Sequence, residues 1–435
     1  MLGEFIVLKK LFIYFFISLL ICFYFLDLSF TTSSNKIELF FSLFFVNLLY
    51  IVSFLLYKKA LNPVVFIFPF LLGFLYYQFH LSYLQNPLSI ETYVVIFLFF
   101  LFYFLGCILF NKNKYSCKDS TVSYTFINFI LLCGSLVFIY ELYLNGGLSI
   151  VKTVQGSNAY VEKITLPILH YFYMLLALLP SCYYYLYKNN RIKKIVYLLF
   201  SFFCFFMIFD SLSRQLILLS IFTYFFCYIK LNDLSLDKQF AKLIIFVGLS
   251  FILIGSLRYM GGATDTNELD FMKAYAQIKE NYDVNIFDIT FNLYTAKNFS
   301  TLNDMIEING GVFHLGKYLF QAYIKIFHYN DAFNIQYSEN LDSYTLLGTI
   351  IADLYLDFGI IGVVILSFTY GLLANYSYQS YINSKSLSSI LLVSVVFYSL
   401  FMSPFTNYFN QLFILICFLF ALSFRIKYSN LKKEE

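Results

Sequence analysis

Two charged residues interrupt the apolar stretch FMIFDSLSRQLILLS, where Asp210 and Arg214 sit four residues apart. A guanidinium at the first turn of an apolar helix is an anion site in outline. It offers paired planar donors beside backbone N–H groups and the positive end of the helix dipole. A second arginine, Arg258, occurs in GSLRYMGG, followed by Tyr259, Gly261 and Gly262. The two glycines allow a ligand close approach to the backbone.

Arginine is scarce in this chain: there are 25 Lys but only four Arg, and Arg191 and Arg425 lie among lysine-rich connections. Lysine serves wherever a generic positive charge is wanted, so Arg214 and Arg258 point to recognition of a phosphate or pyrophosphate. Asp210 is the expected orienting partner of Arg214. The competing reading makes each arginine an interface anchor or one half of an ion pair.

Candidate proton-transfer groups fall in YTLLGTIIADLYLDFGIIGVVILSFTYG, where Asp353 and Asp357 are four apart and share one helical face. Either carboxylate would serve as a general base for a hydroxyl, or would orient it. The plainer alternative is a pair of solvated residues at a helix start. His314, in NGGVFHLGKY, is a further candidate base. The four histidines show no metal-site spacing, and no metal or other cofactor is expected.

The elements that must carry these groups are membrane helices. The 435 residues are 60% hydrophobic and 12% charged, about half the charge of a soluble domain. Apolar runs long enough to cross a bilayer recur along the chain. Spans are expected near 11–30, 39–56, 64–79, 93–110, 126–144, 166–187, 195–209, 213–229, 243–257, 355–376, 389–405 and 411–424. The fold class is therefore all-α, one polytopic domain of about twelve transmembrane helices over 1–435. A large extracytoplasmic loop, 258–345, carries short amphipathic helices expected to lie on the membrane surface. The first apolar run lacks a small-residue cleavage site and reads as a retained helix.

Orientation follows from the basic residues. With the N-terminus inside, 19 of the 29 Lys and Arg fall on the cytoplasmic side and four in short connections opposite. The other six lie in the long loop, which is translocated largely regardless of charge. Both termini are then cytoplasmic. Asp27, His80, Glu141, His170, Asp210, Arg214, Arg258, Asp353 and Asp357 all fall at outer helix ends. Intramembrane ionisable groups are functional candidates by default, so chemistry is expected at the outer face. The chain lacks a G-x-x-x-x-G-K-[ST] loop, and no D-x-D occurs in a cytoplasmic loop. Neither a nucleotide-driven mechanism nor a nucleic-acid partner is indicated.

The span count, the large second-half loop, SLSRQ entering a span, INGGVFHLGKYLFQAY and YLDFGIIGVVILSFTYG together resemble the Wzy-type O-antigen and capsular polysaccharide polymerases, the oligosaccharide repeat unit polymerases. The resemblance implies a glycosyltransferase of the bacterial inner membrane, active at its periplasmic face. The substrates it implies are oligosaccharide repeats on undecaprenyl pyrophosphate, with a chain-length regulator and a flippase as further partners. Arg214 and Arg258 would hold the pyrophosphate, supported by Asp210, Tyr259, Gly261 and Gly262. Asp353, Asp357 or His314 would act on the acceptor hydroxyl. A lipid-linked oligosaccharide flippase, or an outer-face transferase similar to an O-antigen ligase, are the alternatives.

Overall fold

A computed structural model describes residues 33–59, 61–109, 122–156, 163–260, 268–309, 311–320, 323 and 348–426. The expected first span, with Asp27, lies outside them. The architecture is all-α. The chain runs through α1 (Ser33–Tyr57), α2 (Phe68–Tyr77), α3 (Ile90–Leu109), α4 (Tyr124–Leu144), α5 (Ser149–Val154), α6 (His170–Leu175), α7 (Leu179–Lys188) and α8 (Lys194–Asp210). It continues through α9 (Arg214–Leu231), α10 (Leu236–Met260), α11 (Glu268–Tyr275), α12 (Ile286–Phe291) and α13 (Lys297–Asn309). The last three are α14 (Ile350–Asn383), α15 (Leu387–Phe401) and α16 (Leu412–Ile426).

Among the described residues, four helical stretches are long and apolar enough to cross a bilayer: Ile90–Leu109, Tyr124–Val154, Arg214–Leu231 and Ile350–Asn383. Shorter apolar helices include Pro63–Tyr77, Leu387–Phe401 and Leu412–Arg425. This is the pattern of a multi-pass membrane protein, with fewer full-length spans among the described residues than the twelve expected.

Two of the expected spans are broken for local reasons. The run expected at 64–79 begins as a 3-10 turn, Pro63–Ile67, before α2, with Pro69 in the first turn of that helix. The run expected at 166–187 breaks into α6, the 3-10 turn Leu176–Leu178 and α7, with Pro180 in the first turn of α7. Proline lacks an N–H and its ring collides with the carbonyl four residues back, so a continuous α-helix cannot pass through it unbroken. Hydropathy sees neither break.

The most extensive helix–helix contact among the described residues joins α3 to α14. A Cβ built on Gly106 would lie 2.2 Å from the Phe368 carbonyl oxygen, and one on Gly371 would lie 2.1 Å from that of Tyr103. Two backbones therefore touch directly, the arrangement by which small residues drive helix association in lipid. Elsewhere α9 packs on α15 and α7, and α15 on α16.

α14 itself is two helices end to end. Gly359 has φ +60° and ψ −151°, open only to glycine, and the chain turns sharply there. Gly362 is thereby brought so near the first segment that a Cβ on it would lie 2.5 Å from the Leu354 carbonyl oxygen. Residues 350–358 thus form a short helix set apart from the longer 360–383.

The long connection also departs from expectation. Rather than resting on a membrane surface, α13 is packed into the bundle against α3 and α14, with Phe299 and Leu302 fully buried. Asn303 is satisfied inside. The Asn303 side-chain oxygen accepts the Ser89 N–H at 2.7 Å and the Thr92 hydroxyl at 2.9 Å, securing the start of α3. A helix with asparagines on its buried face reads as amphipathic until those internal partners are known. The segment from α11 to α12 forms a satellite core of Met272, Ala276, Ile278, Val284 and Ile289 with Leu81, held by an isolated bridge between Ser82 and Ile278.

Candidate functional site

Arg214 opens α9 and is 3% exposed. Its guanidinium carbon lies 4.1 Å from the centre of the Tyr294 ring. Tyr294 comes from the π-helical turn Asn292–Ala296, which joins α12 to α13, and its ring meets Phe405 at 5.5 Å. The long connection therefore reaches into the bundle to cover the arginine. A desolvated guanidinium over an aromatic face gains about 2 kcal/mol, and the ring restrains the plane of the guanidinium.

Asp210 does not serve Arg214. Spacing by four brings side chains together only on a continuous helix, and α8 ends at Asp210. Residues 211–213 form a turn with Leu212 at φ +52° before α9 begins. Asp210 accepts the Ile150 N–H at 3.2 Å and feels the charge of Lys163. Lys163 lies in the connection before α6, where burial lowers its pKa against the opposing effects of Glu141 and Asp210. Glu141 pairs with His170 at 2.7 Å and also accepts the Leu166 N–H, so it ties the start of α6 to α4.

The two aspartates of 350–358 have different work. Asp357 is fully buried, and its carboxylate accepts the N–H groups of Tyr318 at 3.1 Å and Leu319 at 2.7 Å. Its carbonyl accepts the Leu315 N–H, and that of Leu356 accepts the His314 N–H, both at 3.1 Å. The end of the helix and the 314–319 loop are thus laced together. Asp357 is spent on holding that loop.

Asp353, partly exposed, receives the Asn410 side-chain N–H on one oxygen. Asn410 belongs to the turn at 402–411 between α15 and α16. That turn is also bound to the start of α14, because Ile350 donates to the Ser403 carbonyl at 2.8 Å. Asn407 is fully buried, accepts the Phe409 N–H and donates to the Tyr370 hydroxyl. Tyr370 in turn stacks on Phe409 at 4.5 Å.

His314 is half-buried and meets the Tyr318 ring edge-on at 5.1 Å. Burial raises the Tyr318 pKa, and the charges of Asp357 and Asp353 push it further the same way. Arg214 and Asp353 are therefore linked through Tyr294, Phe405 and the 402–411 turn, and Asp357 and His314 are tied to the same short helix through the 314–319 loop. Arg258 and Tyr259 lie on the last turn of α10, and Gly261 and Gly262 fall outside the described residues. Among the described residues no three His, Cys, Asp or Glu side chains gather as a metal site.

Sequence reasoning did not single out Tyr294, Asn407, Asn410 or Tyr318. Each is an ordinary neutral polar residue in a loop or turn, and only its partner gives it meaning. Fold and site define an all-helical, multi-pass membrane protein in which a buried arginine and an amide-bonded carboxylate are joined by one inter-helix turn. No protein-family model, no curated protein and no solved structure matches the chain.

Proposed function

We propose that the protein is a glycosyltransferase of the membrane's outer face, a polysaccharide repeat-unit polymerase. In this reading the donor is a glycan on undecaprenyl pyrophosphate and the acceptor is the non-reducing end of another lipid-linked repeat. One observation carries the reading: Arg214, buried at a helix N-terminus with its guanidinium against Tyr294, is joined through Phe405 and the 402–411 turn to the Asp353 carboxylate, which Asn410 orients.

The chemistry needs both groups. The bond from the sugar's anomeric carbon to pyrophosphate oxygen breaks as the acceptor oxygen bonds to that carbon. Charge accumulates on the departing pyrophosphate, where Arg214 stabilises it, with Arg258 as a second donor. The acceptor proton passes to Asp353, oriented by Asn410; His314 is the alternative base. Asp357 positions the 314–319 loop and takes no proton. The sugar–pyrophosphate bond supplies the driving force, in keeping with a sequence that carries no nucleotide-binding loop.

The test is purified full-length protein in lipid or detergent, supplied with a lipid-linked repeat and examined for a ladder of chain lengths. A ladder that disappears in Arg214→Ala supports the proposal. Movement of the lipid-linked glycan across the bilayer without bond formation would assign the chain to the flippases. Transfer of a single glycan to a different lipid acceptor would make it a ligase.

A further inference from the structure

A cavity lies behind the short helix that carries Asp353. It has a volume of about 420 Å³ and is lined by Glu91, Glu307, Tyr355, Phe313, Phe358 and Gly359, among others. Asp353 and Asp357 share one face of residues 350–358, whereas Tyr355 lies about 200° round the helix from Asp353. The cavity and the Asp353 side chain therefore lie on opposite sides of that short helix, roughly its thickness of about 10 Å apart.

The lining narrows the ligand class. Two carboxylates face the cavity and, among the described residues, no lysine or arginine lines it, so a pyrophosphate would be repelled. Each carboxylate is held in place by a neutral donor: the Tyr355 hydroxyl bonds to Glu91, and the Asn303 side chain donates to Glu307 at 3.2 Å. Oriented carboxylate oxygens accept hydroxyl or ammonium hydrogens. The Phe313 and Phe358 rings offer flat apolar surface to the C–H face of a pyranose. A calcium ion wants six to eight oxygens, and this lining is half aromatic or aliphatic.

We propose that this cavity is a glycan subsite, taking a neutral or amino-sugar residue of the oligosaccharide while a residue further along the chain lies at Asp353. The proposal rests on the glycosyl-transfer reading. It adds that the enzyme recognises an extended glycan, gripping it at a sugar distant from the reacting one. The helix break at Gly359 builds the site. The φ of +60° there leaves no room for a side chain, and the Phe313 ring occupies the space a Cβ would take, 2.5 Å from its position.

The chain contains no tryptophan, so a single introduced indole is a clean reporter. Phe313→Trp, with Ile361→Trp as a second reporter on the cavity wall, would be titrated in the purified full chain with lactose, chitobiose and the glucosamine disaccharide. Inorganic pyrophosphate and Mg²⁺ would be titrated separately. A saturable fluorescence change with at least one disaccharide is expected, abolished by combined Glu91→Gln and Glu307→Gln and retained in Arg214→Ala. Silence of both reporters toward all three disaccharides overturns the proposal. So does a response to pyrophosphate or Mg²⁺ alone, or a sugar response that survives the double glutamine variant. The readout needs no turnover: a sugar response without a polymer ladder would keep the subsite and discard the polymerase, and a ladder with silent reporters would do the reverse.

Discussion

The Arg214 guanidinium lies 4.1 Å from the centre of the Tyr294 ring, joining the first turn of α9 to a π-helical turn eighty residues later. Nothing in SLSRQ names that partner. The contact makes the long connection part of the arginine's environment, so variants of the loop should behave like variants of the membrane helix.

Arg214→Ala should cost at least about 2 kcal/mol of transition-state stabilisation, roughly thirtyfold in rate. Tyr294→Ala should lose a large part of the same amount, and Tyr294→Phe should lose little because the ring face remains. Arg214→Lys should not restore the rate, since an ammonium cannot reproduce the planar paired donors. Initial rates of ladder formation at equal protein level decide this. A fully active Tyr294→Ala protein would remove the stacking from the account.

The two aspartates should separate by readout. Asp357→Ala strands two buried N–H groups and should lower stability by about 2 kcal/mol or more, exposing the 314–319 loop to protease. Asp353→Asn should leave thermal unfolding nearly unchanged while greatly slowing transfer. Thermal unfolding in detergent, run beside the ladder assay, tells them apart. An Asp353→Asn protein with normal turnover would shift the role of base to His314.

Backbone contact between α3 and α14 gives a prediction independent of function. Gly106→Ala and Gly371→Ala each drive a methyl group into a carbonyl oxygen and should destabilise the bundle by about 1–3 kcal/mol. Gly248→Ala is the control, because nothing lies within 4 Å of the added carbon. If all three unfold alike, helix crossing at that pair is not what holds α14.

Gly359→Ala meets two obstacles, the positive φ and the Phe313 ring. Adding Phe313→Ala should relieve the collision and leave the backbone strain, on the order of 1–3 kcal/mol. Partial recovery of unfolding temperature in the double variant is the expected result. Full recovery would mean that the turn tolerates a side chain.

What the sequence settled by itself was the class of environment and the residues worth attention. Composition and apolar runs require a membrane, because so much hydrocarbon side chain has no other stable solvent. The scarcity of arginine isolated Arg214, and the spacing of Asp353 and Asp357 placed both on one face of a real helix. Local pattern alone does not reveal the breaks: Pro69, Pro180 and Gly359 interrupt runs that hydropathy treats as continuous, and the 211–213 turn separates Arg214 from Asp210. The tertiary structure decided which carboxylate is committed and which is available, buried α13 in the bundle, and supplied Tyr294, Asn410 and the Glu91–Tyr355 pair. Hydrophobicity accumulates residue by residue and survives in a one-dimensional reading. A hydrogen bond or a cation over a ring exists only between groups that the fold has brought together.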